Sequence, residues 1–276
     1  MPELPEVETV VRTLNRSIKG QVITNVQVDY PKLLKNVGSI SEFKAQLEHQ
    51  PIHNVTRRGK YLIFAIGDFY LVNHLRMEGK WFFEPIETLY DHKHVLLQIE
   101  LDDGNVLRFH DTRRFGTLDL RDRDTVMTTN PLAKLGPEPF SDEFTSAWLM
   151  AKAKNKNVAI KTFLLDQTVV VGVGNIYASE ICFYAAIRPE KPVKFLDSDD
   201  WDTIVAGTRS ILAEAIQHGG TTVSTFESSK NVHGMYFEQL KVYGRKGQPC
   251  LECQTPIAKI KLNQRGTYYC GYCQKF

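Results

Sequence analysis

The 276-residue sequence predicts an α+β chain of several domains: an antiparallel β-sandwich behind an N-terminal helix, then a helical segment, then a small C-terminal β-hairpin module. Three observations carry that expectation. Short apolar strands separated by turn residues fill the first half. The character turns helical after Gly136-Pro137-Glu138-Pro139. Four of the five cysteines fall at or after position 250.

Residues 5–18 predict a helix, with Pro5 in the first turn and Glu6 and Glu8 at the favourable end of its dipole. Strands follow at 22–30, 61–66, 70–75, 81–84, 94–101, 106–110 and 117–120, and one helix near 41–49 interrupts them. Turn signals such as Gly67-Asp68 and Asp103-Gly104-Asn105 separate the strands. Val95, Leu97, Ile99 and Leu101 alternate onto one face, the mark of a half-buried strand. Beyond the linker, Ser141 with Asp142 and Glu143 predicts a capped helix start. Further helices are expected over 158–166, from Asn175 as N-cap, and over 199–217, ending at Gly219-Gly220. Segment 219–237 has no clear periodicity and six Ser/Thr, and it reads as a lid loop or as plain disorder. The expected domains are 1–135, 136–236 and 237–276.

No apolar run reaches the length needed to span a bilayer. The first residues lack the basic and apolar regions of a signal peptide, so a cytoplasmic protein is expected. The net charge of +2 says little, but its distribution says more. From Lys230 to Phe276, eight Lys/Arg face two Glu, a local +6 that leaves −4 for the rest. A basic end on a near-neutral body suits a phosphate-binding surface.

Cys250, Cys253, Cys270 and Cys273 read C-x2-C-x16-C-x2-C. Two tight turns then offer two thiolate pairs to one tetrahedral ion, and four soft ligands leave no open position. One structural Zn2+ is expected; iron suits the same ligands, and disulfides suit only an oxidising compartment. The stretches 257–262 and 267–269 predict the hairpin, with Arg265 in its turn. Cys182 lies in an apolar helical stretch and reads as a buried, inert thiol.

Pro2, once Met1 is removed, presents a secondary amine. Attack by that amine on a sugar C1′ gives an iminium ion with no N–H to lose. It therefore stays cationic and acidifies C2′–H. Glu3 beside it is placed for general acid–base work. A plain helix start explains the same residues, and residue typing alone favours that reading. The run Lys152, Lys154, Lys156, Lys161 reads by itself as a solvated helix face. Gly172-x-Gly174 lacks the third glycine and the βαβ setting of a dinucleotide site.

Several motifs together go further. Met1-Pro-Glu-Leu-Pro-Glu-Val-Glu-Thr9, Arg57-Arg-Gly-Lys-Tyr-Leu62, His74-Leu-Arg-Met-Glu-Gly79 and Asp111-Thr-Arg-Arg-Phe-Gly116 occur in order. So do Leu135-Gly-Pro-Glu-Pro139, Val171-Gly-Val-Gly-Asn-Ile-Tyr-Ala-Ser-Glu180, Val242-Tyr-Gly-Arg-Lys-Gly-Gln-Pro-Cys250 and the closing cysteines. This series resembles the bacterial formamidopyrimidine-DNA glycosylases, also called 8-oxoguanine DNA glycosylases. The resemblance implies a β-sandwich domain, a helix–two-turns–helix domain and a zinc finger, with damaged double-stranded DNA between them. It implies excision of oxidised purines followed by β,δ-elimination, by a monomer associated with the nucleoid when bound to DNA. Pro2 would be the Schiff-base nucleophile and Glu3 the proton donor. Lys60 would assist β-elimination and Arg265 δ-elimination. His92, Arg113 and Lys156 match DNA-binding positions, and His74 and Asn175 would hold phosphates. Met77, Arg113 and Phe115 would enter the base stack, although core packing is the reading of Met77 and Phe115 from residue type alone. Asn155 and Asn157 interrupt a stretch that is often more basic in the family, so which lysine approaches the damaged base is open. An endonuclease VIII-like enzyme for oxidised pyrimidines is the nearest rival, but such enzymes open Pro-Glu-Gly-Pro and this chain has Leu4. A non-catalytic zinc-ribbon binder of damaged DNA is the rival from another class.

Overall fold

A computed structural model describes residues 1–221, the backbone of Phe226–Glu227, and residues 235–276. Most of the expected lid loop therefore lies outside the described residues. The chain divides into two compact units. The first takes Met1–Ala133, residues 219–221 and the short strand at Phe226–Glu227. The second takes Lys134–His218 and Met235–Phe276.

The first unit opens with α1 (Leu4–Ile18). Leu4, Val7, Val10, Val11, Leu14 and Ile18 recur at three- and four-residue spacing and are buried, which gives the helix one apolar face. That face packs on the sandwich, whose strands are β1 (Ile23–Val28), β2 (Leu34–Lys35), β3 (Ile52–Arg58), β4 (Tyr61–Ile66), β5 (Phe69–His74), β6 (Lys80–Pro85), β7 (Val95–Leu101), β8 (Asn105–His110), β9 (Thr117–Asp122) and β10 (Phe226–Glu227). Helix α2 (Ile40–Leu47) lies between β2 and β3. One sheet has the order β1-β7-β8-β6-β10 and the other β2-β9-β5-β4-β3. All pairings are antiparallel except the two-residue edges β10–β6 and β2–β9. Phe64, Trp81 and Phe109 form the aromatic centre of the core, with ring centroids 5.3 and 5.0 Å apart.

Two strand expectations need correction. Strand β3 lies where the sequence gives no strand signal, because IHNVTRR carries few apolar residues and a register shift between Ile52 and Asn54 breaks its alternation. Asn15 of α1 secures it by exchanging two hydrogen bonds with the Val55 backbone, at 2.6 and 2.7 Å. In β7 both faces are covered: Leu96 and Gln98 are buried as well as the alternating set. Gln98 Oε1 accepts from Arg108 Nε at 3.1 Å, so the buried amide is satisfied.

The second unit carries α3 (Ser146–Ala153), α4 (Ile160–Leu165), α5 (Asn175–Tyr184), α6 (Ser198–Gln217) and the hairpin β11 (Ile257–Leu262) and β12 (Arg265–Cys270). Helix α3 begins later than Ser141, with Thr145 Oγ1 accepting from Trp148 N–H at 3.1 Å. The chain before it is held as a turn, because Arg209 donates to the carbonyls of Pro139, Ser141 and Phe144 at 3.0 Å each. The N-cap of α5 is Gly174, not Asn175, which leaves the Asn175 side chain available for other partners. Cys182 on α5 is buried, and burial pushes its thiol up to about 12, which keeps it inert as expected. Among the described residues no helix is long and apolar enough to cross a membrane.

Candidate active site and nucleic-acid contacts

The N-terminal end of α1 is built from carboxylates and backbone amides. Glu3 is the N-cap and forms a capping box with Glu6, whose Oε2 accepts from Glu3 N–H at 2.8 Å. Both glutamates are buried. Glu6 also reaches the far end of the unit's sequence, because its Oε1 accepts from Thr221 N–H at 2.7 Å and from the Thr221 hydroxyl at 3.1 Å. Gly220 makes that approach possible. Its φ is +81°, and a Cβ there would sit 2.6 Å from Glu6 Oε1. Pro2 is buried, while Met1 is 43% exposed. With Met1 attached the Pro2 nitrogen is an amide and has no free lone pair, so chemistry at Pro2 requires its removal. The structure thus supplies both a capped helix start and two buried carboxylates at the amine. The Thr221 contact has no signal in the local sequence, since its partners are 215 residues apart.

Lys60 lies in the β3–β4 turn, where Gly59 has a φ of +55°, and it is buried. Across β4 and β5, Tyr61 faces His74, with rings edge to face at 4.6 Å. Arg76 N–H donates to His74 Nδ1 at 3.0 Å, which leaves Nε2 as the protonated ring nitrogen. Burial, then the charges of Arg76 and Lys60, push the His74 pKa down to about 3. His74 is therefore a neutral donor. Its two cationic neighbours make this corner of the unit favourable to an anion.

Met77 and Phe115 are not core residues: they are 40% and 53% exposed. A large apolar side chain displayed this way suits insertion into a stack of bases. The loop that carries Phe115 is fixed from below by Asp111, which is fully buried. Its Oδ1 accepts from Arg113 N–H at 2.9 Å, and its Oδ2 accepts from Phe115 and Gly116 N–H at 2.9 and 2.7 Å. The Arg113 guanidinium stands 4.8 Å from the Phe115 ring centre. Asp111 is a functional support that residue typing passed over, although it opens the Asp111–Gly116 motif. His92 is exposed on a short 3-10 turn, His92–His94, capped by Asp91 Oδ1 through Lys93 N–H at 2.9 Å.

In the second unit the hairpin tip is tighter than expected. Asn263 and Gln264, at φ +45° and +61°, form a two-residue turn, so Arg265 is the first residue of β12 and not a turn residue. Arg265 is exposed. Its neighbour Gly266 is pinned through its carbonyl, which accepts from Asn175 Nδ2 at 3.1 Å and Lys161 Nζ at 3.3 Å. Lys161 also donates to Thr267 Oγ1 at 2.9 Å and is 1% exposed, which corrects its reading as part of a solvated face. Only its neighbours Lys152, Lys154 and Lys156 remain near solvent, and Lys156 Nζ lies 5.3 Å over the Phe163 ring. Asn175 Nδ2 also approaches the Tyr243 hydroxyl at 3.4 Å. Gly266 and Tyr243 thus hold its amide beside Arg265. Glu180 on α5 supports the chain entering the hairpin module by accepting from the N–H groups of Lys241, Val242 and Tyr243 at 2.8, 3.0 and 2.8 Å.

The sulfurs of Cys250, Cys253, Cys270 and Cys273 all lie within 4.8 Å of one another. Two pairs are 3.9 and 3.4 Å apart, close to the edge of about 3.8 Å that four Zn–S bonds of 2.3 Å would make. The residues fit one structural zinc with a closed coordination shell. Cys270 is steadied by Gln274, whose Oε1 accepts its N–H at 2.7 Å.

Comparison with known proteins agrees with this geometry. Family models described as the formamidopyrimidine-DNA glycosylase N-terminal domain, its H2TH domain, and the zinc finger found in FPG and IleRS match residues 1–118, 135–227 and 247–275. A formamidopyrimidine-DNA glycosylase of Listeria innocua is 44% identical over the whole of both chains. A mutant Lactococcus lactis FPG, solved with DNA containing Fapy-dG, superposes with a TM-score of 0.93 at 37% identity and full coverage of both chains. MutM in complex with DNA containing carbocyclic 8-oxo-G gives 0.92 at 37% identity, again over the full length of both.

Proposed function

We propose a division of labour among the residues from one premise: the chain belongs to the formamidopyrimidine-DNA glycosylase family. It is a DNA-repair glycosylase for oxidised purines, and its partner is damaged double-stranded DNA. AP lyase activity is the family's second function. The observation that carries the reading is the pair of buried carboxylates, Glu3 and Glu6, at the amine end of α1.

The neutral Pro2 nitrogen attacks C1′ of the damaged nucleoside. The C1′–base bond breaks, and the base leaves with the proton that the Pro2 nitrogen gives up on attack. Glu3 protonates the sugar ring oxygen, which opens the ring and leaves a C1′ iminium. Loss of the C2′ proton sends its electron pair into that iminium and expels the 3′ phosphate. A second elimination expels the 5′ phosphate. The cation of Lys60 supports the first elimination and that of Arg265 the second. His92, Arg113, Lys156, His74 and Asn175 contact DNA, with Met77 and Phe115 as the wedges that fill the space of an extruded purine. Zinc holds the hairpin and takes no part in the chemistry. Segments 1–135, 136–236 and 237–276 act as catalytic, helical DNA-binding and zinc-finger domains. A cytoplasmic monomer that associates with the nucleoid through DNA completes the proposal.

Excision from duplexes carrying 8-oxoguanine or thymine glycol tests the substrate class. We expect faster excision of 8-oxoguanine; a clear preference for thymine glycol would assign the chain to the pyrimidine-directed sister family. His74 gives a second expectation. Its ring is neutral well below physiological pH, so the Kd ratio of His74→Ala to wild type should stay constant between about pH 5 and 8. A ratio that climbs toward acid pH would show that the ring binds as a cation. The linked effect on stability has a definite sign. The folded pKa lies below the ordinary value, so the stability drawn from the neutral ring is complete above about pH 6.5 and is lost as pH falls toward 3.

A further inference from the structure

Three flat groups of the first unit pack in series: the Arg108 guanidinium against the Tyr90 ring, and the Tyr90 ring against the His92 ring. Arg108 lies on β8 and is 2% exposed. Its Cζ stands 3.7 Å from the Tyr90 ring centre. The Tyr90 and His92 centroids are 4.1 Å apart, with planes at 46°.

The loop between β6 and His92 has little apolar burial of its own. Ile86 is 45% exposed and Leu89 97%. Backbone bonds from Ile86 N–H to the Gly104 carbonyl and from Thr88 N–H to the Pro85 carbonyl, each 3.0 Å, hold its start. Arg108 adds two more, its Nη2 donating to the Ile86 carbonyl at 3.1 Å and its Nη1 to the Thr88 carbonyl at 3.4 Å. Arg108 is itself fixed by Gln98 Oε1 at 3.1 Å and by the Glu84 carboxylate. One buried cation therefore helps to hold the backbone of the loop and lies against the ring of Tyr90.

We propose that Tyr90 is a positioning residue for DNA binding, acting through His92. This deepens the reading of His92 as a DNA contact and rests on it. His92 is exposed, and a free imidazole on an exposed turn would lose rotamer freedom on binding a phosphate. Packed against a ring that a buried arginine already holds, it has lost part of that freedom beforehand. This contact needs an aromatic ring at position 90 and makes no use of the hydroxyl.

Equilibrium binding to a duplex with an uncleavable abasic analogue tests this, with the full-length protein carrying Tyr90→Phe, Tyr90→Leu, His92→Ala or the last two together. Tyr90→Phe should bind like wild type. Tyr90→Leu should raise Kd roughly three- to tenfold, the worth of one aromatic contact. The double variant should bind no worse than His92→Ala alone, and single-turnover excision at saturating protein should be unchanged by Tyr90→Leu. A thermal melt of each variant separates loss of fold from loss of contact. Tyr90→Leu binding like wild type, or multiplying the defect of His92→Ala, would overturn the positioning role while leaving His92 a DNA contact. His92→Ala binding like wild type would instead overturn the reading of His92, and the role of Tyr90 with it.

Discussion

Borohydride added to the processed protein and an 8-oxoguanine duplex should trap a covalent protein–DNA adduct. The same chain with Met1 retained should trap none. The difference is a chemical one, because an amide nitrogen has no lone pair to give to C1′. Pro2→Gly should fall between the two. It keeps an α-amine, which ordinarily titrates far below lysine, so a Schiff base still forms. Its imine carries a proton that it can lose, however, and the neutral imine is a weaker electron sink. Trapping should persist while strand cleavage slows. Glu3→Gln should lose about 10²- to 10⁴-fold in base excision, the usual weight of a general acid. Because Glu3 also caps α1, a melting curve must accompany the rate. An adduct of full yield from the Met1-retaining chain would place the nucleophile elsewhere, with the Met1 α-amine and Lys60 the next amines to test. No adduct from any form would favour a protein that binds damage without cutting.

The sequence and the structure meet most closely where the physics is local. The four cysteines announce their site by spacing, and their sulfurs converge as that spacing requires. Helix α1 follows from its apolar period and its acidic first turn. Met77 and Phe115 show the limit of residue typing. Both would be placed in a core by composition, and only their exposure reveals display. Lys161 shows the reverse, since it sits in a run of lysines that looks solvated, yet two acceptors from the hairpin, more than a hundred residues away, let it be buried. Asn175 is a good cap by type, but Gly174 takes that place and frees the amide for Gly266. The reach of Glu6 to Thr221 and of Arg108 to the Ile86 and Thr88 carbonyls is illegible for the same reason, since such partners are set by the fold and not by neighbouring sequence. Asp111 differs, because its partners Arg113, Phe115 and Gly116 are its own neighbours, and only its burial shows that it holds their loop.

Removal of zinc should cost the protein its second elimination and much of its DNA affinity without touching the nucleophile. The module can build little core alone: Val242, Cys250, Ile257 and Cys270 are its buried cluster, and two of those four are metal ligands. Apparent zinc-binding free energies of about 10–16 kcal/mol in comparable sites exceed what so small a cluster supplies, so the hairpin's order depends on the metal. Arg265 opens β12 and Cys270 closes it, which joins the proposed cation for δ-elimination to a zinc ligand by one strand. Arg265→Ala should remove one charge-assisted phosphate contact, about 1.5–3 kcal/mol, or roughly ten- to hundredfold in Kd. Cys250→Ser, or exhaustive chelation, should lose at least that much and stall products at β-elimination. Hydrogen exchange should show β11 and β12 unprotected in the zinc-free protein, while the core strands β4, β5 and β7 keep their protection. Refilling the site should restore binding to the chelated wild type and not to Cys250→Ser. A zinc-free protein that keeps a protected hairpin and makes δ-elimination product at the wild-type rate would refute the structural role of the metal. A protein that loses δ-product while its hairpin stays protected would instead point to chemistry at the four thiolates, which a closed shell of sulfur ligands forbids.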